Sequence, residues 1–451
     1  METPSIVVVG GGASGALTAI HLLRLARTRR TPTAVTLIDQ HGRHALGQAY
    51  ATTDPHHLLN TRADRMSAVE GEPGHFLSWA RATGLDASGT GYLPRAVYGR
   101  YLREVLAASA EPPARALHLI TGTATGLEGD HAVRLADGRR VAADAVVLAL
   151  GNRAPAPLPG TPAHPRHVAD PWAAGALDEV GDGTPVLVLG TGLTMVDVAL
   201  TVTRAHPGTV VYALSRRGLL PRAHPPVPAA PVPVTFPDGP LRVADLLRVV
   251  RQAVRANAGD WHGVMEGLRP RTQELWTRLA PGERRIFLDR VARYWEIHRH
   301  RVPPASAAAL AELLASGRLR LLRGGLVGAR PAGAGLRVLA EVDGTVRELD
   351  VGWLVNATGP GADVTSDPFL AGLVSAGAAR RDALGLGLDA GQDGAVLDAT
   401  GRPGERVFAV GPLLRGGLYE TTAVPEIRAQ AAALAPRLLE AVRVPRSRLT
   451  A

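Results

Sequence analysis

Apolar residues fall along the chain in short unbroken runs separated by stretches with helical spacing. Residues 6–9 and 145–150 read as strands that are apolar on both faces, as the central strands of a parallel sheet must be, and residues 34–38 and 117–120 read as further strands. An apolar helix, residues 16–25, follows the first run. The same order returns at long spacing, with strands at 185–189, 209–214, 319–322 and 354–357 and a helix at 196–202. Each copy also carries a hairpin signal, Asp137-Gly138 in the first and Asp343-Gly344 in the second. A single long domain would not repeat in this way. After the strand at 209–214 comes a proline-rich arm (Pro225, Pro226, Pro228, Pro231, Pro233). Residues 241–254 and 282–295 then place apolar side chains at helical spacing.

In both copies the first strand runs into a glycine turn. Gly10-Gly11-Gly12-Ala13-Ser14-Gly15 is a G-x-G-x-x-G between strand and helix. Gly10 makes the tight turn, Gly12 lets the backbone approach a pyrophosphate, and Gly15 lets the helix pack on the strand. Ala13 and Ser14 sit at the helix N-terminus, whose free N–H groups favour an anion. The next strand ends in Asp39, suited to ribose hydroxyls. The second turn, Gly190-Thr191-Gly192-Leu193-Thr194-Met195, keeps the first two glycines and replaces the third with Met195. Its next strand ends in Ser215-Arg216-Arg217. A carboxylate there would repel a 2′-phosphate, whereas arginine offers a planar fork of charged donors. The second copy is therefore expected to take NADPH, with Arg216 or Arg217 on the phosphate; the alternative is that both are merely solvated. The predicted fold is α/β, with two Rossmann-like dinucleotide-binding domains and a helical insertion. The first domain is assigned residues 1–153 and 360–451, the second 154–220 and 306–359, and the cap insertion 221–305.

Composition removes several chemistries. The chain has 451 residues and no cysteine, so dithiol relays, thiol nucleophiles and thiolate metal sites are excluded. All 50 basic residues are arginine, which excludes a P-loop and Schiff-base catalysis. The net charge of +9 invites a nucleic-acid reading, but the arginines are scattered rather than gathered into one run. No apolar stretch has the length of a membrane span, and the chain opens directly on its first strand. The expectation is a cytoplasmic protein with a small-molecule substrate and neither a nucleic-acid nor a membrane partner.

The two fingerprints, closed by Ala149-Leu150-Gly151 and Ala357-Thr358-Gly359, resemble the two-dinucleotide-binding-domain flavoproteins, among them flavin-containing monooxygenases and N-hydroxylases. A narrower resemblance is to the NAD(P)/FAD-binding YdhS-type oxidoreductases. Its carriers include Gly47-Gln48-Ala49-Tyr50, His57-Leu58-Leu59-Asn60, Arg65-Met66-Ser67, Tyr92-Leu93-Pro94-Arg95 and the run from Tyr419 to Arg428. The resemblance implies FAD in the first copy, with Gln48, Asn60, Met66, Gly151, Gly411 and Val424 among its contacts. It also implies that the helix beginning near Pro425 aims its N-terminus at the flavin pyrimidine. Two departures stand out. Gly411 is followed by Pro412 where the superfamily has an acid for the ribityl chain. The monooxygenase linker motif survives only as Gly160 and His164, with Trp172 four residues late. That segment reads either as a trace of hydride and oxygen chemistry or as a plain proline-rich linker.

Met66 is read either as a cofactor contact or as core filler. His57, Asn60 and His167 are the catalytic candidates, and none is marked as indispensable. Metal ligation is not expected: His298 and His300, in the run Trp295-Glu296-Ile297-His298-Arg299-His300-Arg301, point to different helix faces. That run reads either as a basic helix end or as donors for an anionic substrate or the NADPH pyrophosphate. Three functions compete. The favoured one is a monooxygenase in which NADPH reduces FAD, O₂ adds at flavin C4a, and the hydroperoxide oxygenates a nitrogen, sulfur or carbonyl centre. The others are a flavin reductase or dehydrogenase without oxygen insertion, and a non-catalytic flavin-binding module.

Overall fold

The computed structural model describes residues 3–110, 117–129 and 132–443. Two sheets organise it. In the first, the strands stand in the order Ala395–Leu397, Pro403–Ala409, Ala145–Leu148, Ser5–Val9, Ala34–Asp39 and Leu117–Thr121. All neighbours are parallel except the first two, which pair antiparallel. The two-residue period of a strand sends its side chains to opposite faces. Ile6 and Val8 face helices Ala13–Thr28 and Val424–Ala441, in a core shared with Leu17, Leu37 and Leu438. Val7 and Val9 face the other way, toward Val146, Phe369 and Leu370. This is why the run 6–9 has no polar position.

The second sheet runs Thr345–Val351, Gly335–Val342, Leu319–Ala332, Val211–Ser215, Val186–Leu189, Trp353–Asn356 and His167–Val168. Val186 and Val188 pack under helix Leu193–Ala205, while Leu187 and Leu189 meet Leu336, Val338 and Ala340 of the hairpin. The two copies differ in how they carry that hairpin. In the first it belongs to a separate sheet of Ala124–Glu128, Ala132–Leu135 and Arg140–Val141. In the second, the long strand Leu319–Ala332 pairs in parallel with Val211–Ser215 and continues into the antiparallel hairpin. Asp343 and Gly344, with φ of 51° and 79°, make the two-residue turn that Asp-Gly favours.

Between Val211–Ser215 and Leu319–Ala332 the chain is largely helical, with helices Val243–Ala256, Trp261–Leu268, Thr272–Thr277, Pro281–Ile286, Ala292–Arg299 and Pro304–Ala315. This region docks on the C-terminal segment. Trp276 stacks on Tyr419 at 4.6 Å and donates from Nε1 to the Gly416 carbonyl at 2.9 Å. Arg299, 8% exposed, bridges Glu420 at 3.0 Å and Glu426 at 3.2 Å. Such a buried cation is tolerated because two carboxylates surround it.

Candidate functional site

Gly10 has φ of +109°, and a Cβ there would fall 2.3 Å from the Ala149 carbonyl oxygen, so only glycine lets the turn close on the neighbouring strand. A Cβ on Gly15 would lie 2.0 Å from the Gly10 oxygen, which is the close helix–strand packing expected of that position. Gly12 caps helix Ala13–Thr28 without a side-chain bond, and no acid stands in the first turn. The N–H groups there therefore lack side-chain acceptors and suit a phosphate. The space beside Gly12 is bounded by Gly47, whose Cα would be 3.3 Å from a Cβ on Gly12. The loop before Gln48 thus lies over the glycine turn. Gln48 itself donates to Asp170 Oδ2 at 3.2 Å.

Asp39 Oδ1 accepts the N–H groups of His41 and Arg43, both at 2.9 Å, while Oδ2 has no hydrogen-bond partner among the described residues. One oxygen therefore shapes the loop and the other is available to a diol. Three distant segments converge on this turn, since a Cβ on Gly411 would meet Ser14 Oγ at 2.6 Å and the Thr421 oxygen at 3.8 Å. The Thr421 hydroxyl and the Gln430 amide nitrogen are buried without partners. Buried polar groups normally have one, so these orphans fit a bound nucleotide. Gly151 turns at φ of +70° into open space, and Val424 begins the C-terminal helix.

The second turn has the same construction. A Cβ on Gly190 would fall 2.2 Å from the Ala357 oxygen, matching Gly10 against Ala149. Gly192 caps helix Leu193–Ala205, which begins with Leu193 and Thr194, and a Cβ on Gly192 would meet nothing within 4 Å. Met195, in place of the third glycine, is buried in the core under the helix. At the end of the next strand the two arginines part company. Arg217 donates to the Asp289 carbonyl at 3.3 Å and lies 5.5 Å from the Tyr294 ring centre. Arg216 is exposed and has no protein partner among the described residues.

The catalytic candidates fare differently. His57 is buried with both ring nitrogens engaged, Nδ1 by Thr52 at 2.7 Å and Nε2 by Thr201 at 2.9 Å, and burial lowers its pKa. It ties residues 52–57 to helix Leu193–Ala205, with Trp172 against its edge. Both ring nitrogens are thus taken up by threonine hydroxyls of the protein itself. His167 stands in the outermost strand of the second sheet and lines neither cavity described below; its Nε2 is buried without a partner and burial lowers its pKa. Met66 packs in the apolar core with Leu59, Ala63 and Tyr101.

Asn60 does line a cavity, together with groups that sequence reasoning passed over. A cavity of about 260 Å³ is lined by Leu58, Arg62, Tyr92, His224, Glu266 and Arg301. A smaller one of about 40 Å³ shares Arg62, His224, Glu266 and Arg301 with it and extends to Asn60 and Ala423, the residue before the C-terminal helix. Glu266 accepts from Arg65 at 2.7 Å and also from Arg301. Burial alone would raise its carboxyl, but the two guanidiniums outweigh it and hold the pKa at about 2. His224 Nε2–H donates to the Asn60 carbonyl at 3.0 Å, and burial, reinforced by Arg301, pushes its pKa down to about 4. The ring is neutral at pH 7, with Nδ1 free to accept. The Tyr92 ring lies tilted beside it at 5.0 Å, its hydroxyl raised to about 12 by burial. The charged run 295–301 thus does more than end a helix: Arg299 anchors the cap against Glu420 and Glu426, and Arg301 holds Glu266 within the cap. Among the described residues no group of three or more His, Cys, Asp or Glu side chains could hold a metal ion. No helix there is long and apolar enough to cross a membrane.

Residues 7–153 match the family model described as FAD-NAD(P)-binding. No curated protein sequence matches the chain significantly. Solved structures do match it nearly end to end. L-lysine 6-monooxygenase from Pseudomonas syringae superposes with a TM-score of 0.67 at 18% identity, covering 98% of this chain and 100% of that one. Ornithine hydroxylase from Pseudomonas aeruginosa gives 0.66 at 15% identity, covering 98% and 100%. The ornithine N-hydroxylase of Kutzneria sp. 744, solved with reduced FAD, NADP⁺ and L-ornithine, gives 0.63 at 14%, covering 97% and 99%. The fold of this chain is that of these hydroxylases and monooxygenases.

Proposed function

We propose that this protein is an FAD-dependent, NADPH-reduced monooxygenase acting on a nitrogen, sulfur or carbonyl centre of a small molecule, with O₂ as co-substrate. The supporting observation is the pair of glycine turns of matching construction on two parallel sheets, in a fold shared end to end with N-hydroxylating monooxygenases. The narrower kinship with YdhS-type oxidoreductases belongs to the same reading. The Gly10–Gly15 turn would hold the FAD pyrophosphate, Asp39 Oδ2 its ribose, and the start of helix Val424–Ala441 the flavin end. Gly190, Gly192 and the first turn of helix Leu193–Ala205 would hold the NADPH pyrophosphate, and Arg216 its 2′-phosphate. Bound flavin supplies the redox and oxygen chemistry; the chain positions the reactants and shields them from water. The side chains flanking the cavities fit that division, since His224 is neutral and Glu266 is held ionised between two arginines, leaving neither as a general acid at neutral pH. Fold relatives include disulfide reductases, such as that of Bacillus cereus for bacillithiol, but a chain without cysteine has no dithiol to relay electrons. The test is NADPH-dependent oxygen uptake by the purified FAD-loaded protein, with and without candidate amines, thioethers and ketones. Stimulation of uptake, with one oxygen atom from ¹⁸O₂ in the product, is the expected result. Flavin reduction with no labelled product from any class would favour the reductase instead.

A further inference from the structure

The larger cavity is unequal in its chemistry. Its apolar lining is Leu58, the Tyr92 ring and prolines of the arm and of the cap's end, such as Pro225, Pro226 and Pro303. Its charged lining is dominated by arginine. Arg62, with a side chain 16% exposed, uses only Nε, on Asp64 at 3.3 Å; its two terminal amines have no acceptor among the described residues. Arg301, 5% exposed, binds His262 and Glu266 through its terminal amines, and its Nε is buried without a partner. Glu266, the carboxylate lining both cavities, already has one oxygen on Arg65 and the other on Arg301. No free acid is left there for a ligand ammonium, while a planar guanidinium fork waits for an anion. We infer that this cavity is a carboxylate subsite, which takes a small organic acid with its anionic group on Arg62 beside Arg301 and its apolar body against Leu58, Tyr92 and the prolines. His224 Nδ1 adds one acceptor for a donor on that body. A cavity of about 150 Å³ holds a benzene ring, so about 260 Å³ has room for roughly ten non-hydrogen atoms. The preference is opposite to what a diamine such as cadaverine, named for one fold relative, would need.

The inference rests on the proposed flavin site, because Asn60 and Ala423 place the cavities beside the flavin end. It can be tested without turnover, by calorimetric titration of the oxidised, FAD-loaded protein with 3-phenylpropionate, its neutral amide and the cationic 3-phenylpropylamine. The acid should bind about 10- to 100-fold more tightly than the amide, as expected for a charge-assisted pair, and the amine should bind weakest. Arg62→Gln should erase the preference for the acid and leave the NADP⁺ affinity and the FAD content at wild-type values, while Arg62→Lys should keep part of it. Equal binding of the three ligands, or a preference that survives Arg62→Gln, overturns the inference. So does an acid that fails to bind while Arg62→Gln weakens NADP⁺, which would make the coenzyme pyrophosphate the anion. Should Arg62→Gln not fold, the wild-type order of acid over amine decides alone. Acid binding together with no ¹⁸O-labelled product from any class of substrate would refute only the monooxygenase.

Discussion

Replacing Arg216 with alanine isolates the coenzyme assignment. The side chain is exposed and has no protein partner among the described residues, so its removal should change folding stability by no more than about 0.5 kcal/mol. A charge-assisted hydrogen bond to phosphate contributes about 1.5–3 kcal/mol, and exposure to solvent argues for the lower end, or about tenfold in NADPH affinity. NADH lacks the 2′-phosphate and should lose almost nothing. Arg217→Ala is the built-in contrast. Its guanidinium already holds the Asp289 carbonyl and the Tyr294 face, so truncation should loosen the cap with a smaller effect on coenzyme choice. The assay is anaerobic flavin reduction by each coenzyme, in wild type and both variants, at two ionic strengths. The NADPH preference should shrink with added salt, because the contact is exposed. A wild type without preference, or an Arg216→Ala that weakens both coenzymes equally, refutes the reasoning.

Gly12→Val should yield folded but colourless protein, because the added side chain meets Gly47 at 3.3 Å and crowds the phosphate turn; retention of stoichiometric FAD by absorbance would count against the first nucleotide site. Arg299→Met leaves the buried Glu420 without a cation and Glu426 with Arg269 alone, and should cost about 3 kcal/mol by urea denaturation, whereas a loss under about 1 kcal/mol would mean the triad is not interdependent. His224 is depressed from 6.5 to about 4 in the folded protein, so the unfolded chain binds its proton first as the pH falls. Its contribution is present above pH 6.5 and is lost on acidification toward pH 4, about 2 kcal/mol of it by pH 5. His224→Gln should remove that part of the slope in denaturation midpoints between pH 7 and 5, and an unchanged slope would show that the ring is not held neutral.

Local features were legible because their physics is local. The turns at Gly10 and Gly190 need a left-handed glycine between strand and helix, and the chain displays that requirement within six residues. Asp39 ends a strand, and Asp343-Gly344 makes a turn that two residues specify. What stayed hidden depends on contacts between distant segments. His57 looked available as an acid or base until Thr201, from the second module, engaged its second nitrogen. Arg216 and Arg217 are equivalent in the sequence, and only the packing of the cap under Tyr294 separates them. Arg62, His224 and Glu266 sit in three segments that no periodicity joins, although Arg62 lies between the runs 57–60 and 65–67, which could have drawn attention to it. The second hairpin was placed correctly as a hairpin, but its fusion to the parallel sheet follows from the continuous strand Leu319–Ala332, which the shorter apolar run did not reveal.

The central claim is that this chain delivers oxygen from a flavin reduced by NADPH. Stopped-flow mixing of the anaerobically NADPH-reduced protein with O₂ tests it most directly, with oxygen consumption and the oxidised-flavin absorbance followed together. The account predicts a lag, in which oxygen disappears before the oxidised spectrum returns, because the site shields the reacting flavin until a substrate accepts the oxygen atom. Oxidised flavin that returns in step with oxygen loss, with hydrogen peroxide formed in equal amount, would contradict it.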